Sequence, residues 1–147
     1  MARATTAQNA SIAADPQKVY DFVCEARRAV SFIPGLTKID NVKPAQVQPG
    51  QTWEYEFDWF GFVVSGNSKC VQADPPRVYA FQTVSGSPST WTYRFDPDRQ
   101  GTRLTLEVEY EIPQNLLARY ASQSTLEKMN ADRARKIVEN IKTMIEG

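Results

Sequence analysis

The chain has 147 residues, of which 17 are Lys or Arg, 17 are Asp or Glu and none is histidine. That length fits one domain, residues 1–147, with apolar content (41%) enough for a core without a disulfide or a structural metal. A formal net charge of zero lacks the footprint of a nucleic-acid binder, and the missing histidine excludes a Ser-His-Asp triad, a Cys-His pair and a His-ligated zinc site on this chain alone.

The first ten residues are small and polar. They read as a frayed segment or as a weak edge strand running to Ala13. Asp15-Pro16 then starts a helix: Asp caps free N–H groups and Pro suits the first helical position. Val19, Phe22, Val23 and Ala26 follow at helical spacing. A second short helix is expected over Arg27 to Phe32, stopped by Pro34-Gly35.

From Leu36 to Ile112 the apolar period is 2. Trp53, Tyr55, Phe57 and Trp59 share one face of a strand over Thr52 to Trp59, and Glu54, Glu56 and Asp58 share the other. Gly61 marks a hairpin, and Phe62 to Ala73 returns until Asp74-Pro75-Pro76 ends it. Further strands are expected over Arg77 to Ser85, Thr90 to Phe95 and Thr102 to Glu111, joined by the turns Ser85-Gly-Ser-Pro88 and Asp96 to Gly101. Short turns between consecutive strands predict an antiparallel meander. The alternating acidic face Glu107, Glu109 and Glu111 reads as solvated sheet, or as a surface that meets a partner protein.

From Gln114 to Glu146 there is no Gly or Pro, which predicts one helix of about 50 Å after Pro113. Its job is to cover the apolar face the strands leave open, so that the sheet curls around it. At about 100° per residue, Ile137, Val138, Met144, Ile145, Ala134, Leu116 and Tyr120 lie near Ile141 on one stripe. Gln123, Glu127 and Asn130 lie on the same stripe, and a carboxylate buried without a partner is costly. Either the helix overhangs the sheet there, or the space beneath holds water or a ligand. The aromatic face of Trp53, Tyr55, Phe57, Trp59, Trp91, Tyr93 and Phe95 is core or cavity wall. Gly66, Ser68 and Cys70 leave room there if their face turns inward.

Cys24 and Cys70 stand 46 positions apart without metal-ligand spacing, which predicts no metal site and favours two buried thiols, with a disulfide as the exception. No apolar run reaches the roughly 18 residues of a membrane span, and residues 1–10 carry no apolar leader. The expected location is the cytoplasm.

The order of strand, two short helices, six-strand meander and long C-terminal helix resembles the helix-grip fold of the START/Bet v 1-like (SRPBCC) superfamily, an α+β class. The likeness is carried by Ala14-Asp15-Pro16-Gln-Lys-Val19-Tyr20-Asp21-Phe22-Val23, Phe32-Ile33-Pro34-Gly35-Leu36 and Ala73-Asp74-Pro75-Pro76-Arg77, with Tyr93-Arg94-Phe95-Asp96-Pro97 and Gly101-Thr102-Arg103-Leu104-Thr105. Together they look like the polyketide cyclase/dehydrase branch. The resemblance implies a deep cavity between sheet and helix that takes lipids, sterols, hormones, polyketides or quinones.

Three functions follow. The first is binding or transport of an apolar, ring-containing small molecule: Trp53, Tyr55, Phe57, Trp91 and Tyr93 form apolar wall, and Gln123, Glu127 and Asn130 orient the ligand. The second is a cyclase, dehydratase or aromatase, with Glu127 as general acid or base and Tyr55, Tyr93 or Tyr120 holding an enolate. The third is a protein-interaction module. None requires a cofactor, and the sequence leaves the oligomeric state open.

Overall fold

The computed structural model describes residues 2–59, 61–86, 88–112 and 123–147, without the side chains of Ala2, Trp59 and Ile112. The strands are β1 (Ala2–Ile12), β2 (Leu36–Lys43), β3 (Thr52–Trp59), β4 (Phe62–Asp74), β5 (Val78–Thr83), β6 (Ser89–Pro97) and β7 (Thr102–Ile112). They form one antiparallel sheet in the order β1-β7-β6-β5-β4-β3-β2. The meander of β2 to β7 is thus intact, and β1 is an edge strand paired with β7 along its whole length. Register shifts in β2 and between Cys70 and Gln72 of β4 bend those strands and help the sheet curl.

Helix α1 (Pro16–Val23) starts where Asp15 accepts a hydrogen bond from the Lys18 N–H at 2.9 Å. It buries Val19, Tyr20 and Val23. The expected second helix is a 3₁₀ turn at Ala26–Arg28 running into α2 (Ala29–Phe32). Helix α3 (Gln123–Glu146) lies across the sheet and buries Leu126, Ala134, Ile137, Val138 and Ile141. Its last turn is tied to the end of β1: Lys142 Nζ donates to the Ser11 carbonyl at 2.5 Å, and the Ala13 N–H donates to Glu146 at 2.9 Å. Asn140 reaches the Phe32 carbonyl at 3.1 Å, joining α3 to α2. The expected helical segment over residues 113–122, with Leu116 and Tyr120, lies outside the described residues.

The straight stripe expected on α3 is buried at Ala134, Ile137, Val138 and Ile141, but not at its two ends. Gln123 is exposed and Glu127 only half-buried, whereas Leu126, about 60° to one side of the stripe, is fully buried. At the other end Met144 is 43% exposed, against the expectation of burial. The contact line therefore drifts around the helix by about a quarter turn. A twisted sheet causes this, because a straight helix laid on a twisted surface touches it along a winding line. Among the described residues no helix is long and apolar enough to cross a membrane.

Candidate functional site

A cavity of about 120 Å³ lies between the inner face of the sheet, the α1–α2 segment and α3. Its wall on the sheet side is aromatic for a reason visible in β4. Ser68 and Cys70 are buried inward-facing positions, and both are small. Ser68 stands between Trp53 of β3 and Thr83 of β5, and Cys70 beside Phe81. With no bulk on the strand between them, the Trp53 and Phe81 rings meet edge-on at 5.3 Å. Phe81 then stacks on Trp91 of β6 at 5.5 Å, with 16° between planes. Below this band Tyr79 stacks on Tyr93 at 6.2 Å. The α1–α2 side adds Val23, Ala26, Ala29, Phe32 and Ile33, all apolar.

Polar groups enter this wall at a few places. Ser89 accepts from Trp91 Nε1 at 2.9 Å, and its hydroxyl lies 2.8 Å from that of Thr83. The Tyr55 hydroxyl donates to the Ser85 carbonyl at 2.8 Å. Tyr93 is 1% exposed, and its hydroxyl has no hydrogen-bond partner among the described residues. Burial pushes that phenol far above the ordinary tyrosine range, so it stays protonated.

Helix α3 contributes Asn130, Arg133, Ala134 and Ile137. Asn130 Nδ2 donates to the Leu126 carbonyl at 2.9 Å. Burial pushes the Tyr110 hydroxyl up in pKa; the nearby Asn130 side chain and Arg133 pull the other way, and Glu127 adds to the rise. The Arg133 guanidinium sits 4.8 Å from the centroid of the Phe57 ring. Burial pulls its pKa down to about 10, while Asp58 and Tyr110 favour the charged form, so the cation persists at neutral pH.

Of the sequence-derived site residues, Trp53, Tyr55, Phe57, Trp91, Tyr93 and Asn130 come together around the cavity. Gln123 and Glu127 are not among its lining residues; they bond to each other, Gln123 Nε2 donating to Glu127 at 2.9 Å. Tyr120 lies outside the described residues. The residues the sequence reading passed over are Tyr79, Phe81, Tyr110 and Arg133. The first two were legible as alternating positions of one strand. Arg133 was legible as part of the spacing Leu126, Asn130, Arg133, Ala134, Ile137, which is one helix face. Both cysteines are free and buried, and burial raises Cys24 to about 11. No group of three or more His, Cys, Asp or Glu that could hold a metal occurs among the described residues.

Comparison with known proteins places this architecture. No curated protein matches the sequence. A protein of Thermus thermophilus has a similar structure, with a TM-score of 0.77, 16% identity and 95% of each chain covered. The Zhui aromatase/cyclase of Streptomyces sp. R1128 superposes with a TM-score of 0.78 at 15% identity, covering 99% of this chain and 94% of that one. The di-domain aromatase/cyclase BexL of the BE-7585A biosynthetic pathway gives a TM-score of 0.76 at 16% identity; the match covers 99% of this chain and 50% of that one. At such identities the likeness speaks for the fold. The sequence profile described as polyketide cyclase/dehydrase and lipid transport matches residues 3–146, and the chain belongs to that family.

Proposed function

We propose that the protein binds an apolar, ring-containing small molecule in the cavity between sheet and α3, and acts as a carrier or binding protein. The observation that supports this best is the band Trp53–Phe81–Trp91, three flat side chains across β3, β5 and β6 facing open space. A packed core would fill that space; an apolar cavity with a few placed polar groups is the form of a small-molecule site. A volume of about 120 Å³ is near that of an apolar cavity of about 150 Å³ known to admit benzene. One ring fits, and a second would extend toward the open side.

The catalytic reading, a cyclase, dehydratase or aromatase, draws on the likeness to the aromatase/cyclases. Against it, no carboxylate is among the described lining residues and the chain has no histidine. The Tyr79, Tyr93 and Tyr110 hydroxyls there are held protonated, which suits them to donate hydrogen bonds and not to abstract protons.

Calorimetric titration with 2-naphthamide, a neutral two-ring probe, tests the binding reading, with tryptophan emission followed in parallel. Saturable one-to-one binding with a change in emission is expected, because Trp53 and Trp91 both line the cavity. Heat of dilution alone and constant emission up to the solubility limit would defeat it.

A further inference from the structure

The cavity wall carries a single charge among its described residues, and that charge is the cation of Arg133. We propose that Arg133 receives an acidic oxygen of the ligand, so that the preferred ligand is an aromatic carboxylate and not a neutral ring. This rests on the binding reading above and names the substrate class for the same site.

The geometry carries it in three steps. Arg133 is presented to the cavity from α3 by the winding contact line that also brings Asn130, Ala134 and Ile137 inward. Its guanidinium is laid on the Phe57 ring at 4.8 Å, so its plane is held by an aromatic surface and not only by a flexible stem. A guanidinium offers donors in a fork that matches a carboxylate, and such pairs are the strong hydrogen bonds of protein interiors. Tyr110 and Asn130 also line the cavity and act electrostatically in the neighbourhood of this cation, adding polar groups to its surroundings.

Among the described residues, Asp58 of β3 and Glu127 of α3 are carboxylates that act on this part of the wall. Asp58 is exposed and acts on Arg133; Glu127 is half-buried, bonded to Gln123, and acts on Tyr110. Neither lines the cavity. Solvent and salt screen an exposed carboxylate more strongly than a charge inside an apolar cavity. An anion placed against Arg133 therefore gains more from the cation than it loses to these two.

The experiment compares 2-naphthoate with 2-naphthamide, the same rings with and without the charge, by calorimetry at neutral pH. On the wild type, 2-naphthoate is expected to bind about tenfold more tightly, the scale of one charge-assisted hydrogen bond. Arg133→Met, which keeps an apolar stem over Phe57, should abolish that preference, so that the two probes bind with affinities within about twofold of each other. Arg133→Lys, which keeps the cation and loses the fork, should retain part of the preference. Equal or tighter binding of the amide by the wild type overturns the proposal, whatever the variants do, and leaves the cavity reading intact. A preference for naphthoate that survives in folded Arg133→Met overturns it as well. Failure of both probes to bind the wild type removes the cavity reading itself.

Discussion

The Tyr55 hydroxyl spans from β3 to the carbonyl of Ser85, 2.8 Å away, at the turn that joins β5 to β6. Two glycines make this contact possible. A Cβ on Gly66 would stand 2.0 Å from the Ser85 carbonyl oxygen, and one on Gly86 would stand 2.5 Å from the Tyr55 hydroxyl. Gly86 also has φ of +88°, where L side chains are strained. The ring of Tyr55 belongs to the cavity wall, while its hydroxyl is spent on holding the turn.

Gly86→Ala should therefore destabilise the fold by about 2 kcal/mol or more, adding strain at positive φ to a broken hydrogen bond. Tyr55→Phe should cost about 1 kcal/mol, the net worth of the bond alone. Urea unfolding at constant m reads both. If Tyr55→Phe also lowers 2-naphthamide affinity more than about threefold, the hydroxyl has a second role in the site.

Much of the fold was legible because strand alternation and turn residues are local signals. Thr52 to Trp59 reads as a strand from its aromatic and acidic faces alone, and Asp15-Pro16 reads as a helix start from two residues. The site was legible where it lies on strands, since one alternating face fixes Trp53, Trp91 and Tyr93. On α3 Asn130 lines the cavity but Gln123 and Glu127 do not, because the sheet's twist decides which side of a helix faces inward, and twist is a property of seven strands together. Gln123 and Met144 turned out exposed, and Arg133 turned inward, for that single reason.

Tyr93 is fully buried and its hydroxyl has no partner among the described residues. An unsatisfied polar group in that position costs stability, and removing it relieves the cost. Tyr93→Phe is expected to leave stability unchanged or raise it by about 1 kcal/mol, the reverse of the usual result for a buried tyrosine. Thermal and urea unfolding check this. A loss of about 1 kcal/mol or more would mean the hydroxyl bonds to a bound water or ligand in solution.

Asn130 and Glu127 lie three positions apart on α3 and should behave differently. Asn130→Ala removes the bond to the Leu126 carbonyl and a polar neighbour of Tyr110, and should cost about 1 kcal/mol. Glu127→Gln weakens a surface contact with Gln123 and removes a charge that acts on Tyr110, and should stay within about 0.5 kcal/mol. Affinity for neutral 2-naphthamide should be unchanged in Glu127→Gln to within about twofold. A larger loss would return Glu127 to the binding site.

Stability should fall on the alkaline side, and the groups responsible are identifiable. Burial raises Cys24 from 9.0 to about 11, with Asp21 adding to the shift, and raises Cys70 in the same direction. Tyr20, Tyr79, Tyr93 and Tyr110 are all raised above 10.0, chiefly by burial. Each group ionises earlier in the unfolded chain than in the folded one. Below about pH 8 all are largely protonated in both states, and their full contribution is present. As pH rises, the unfolded state loses protons that the folded state keeps, so unfolding becomes more favourable. Between pH 9 and 11 Cys24 alone should remove about 2 kcal/mol, by the linkage of about 1.4 kcal/mol per unit. Urea unfolding under reducing conditions at pH 7.5, 9 and 10.5 measures the slope, and Cys24→Ala should make it shallower between about pH 9 and 10.5. Equal stability at all three pH values would mean that these thiols and phenols are reached by water in the folded protein, and that the packing under α1 is looser than the structure describes.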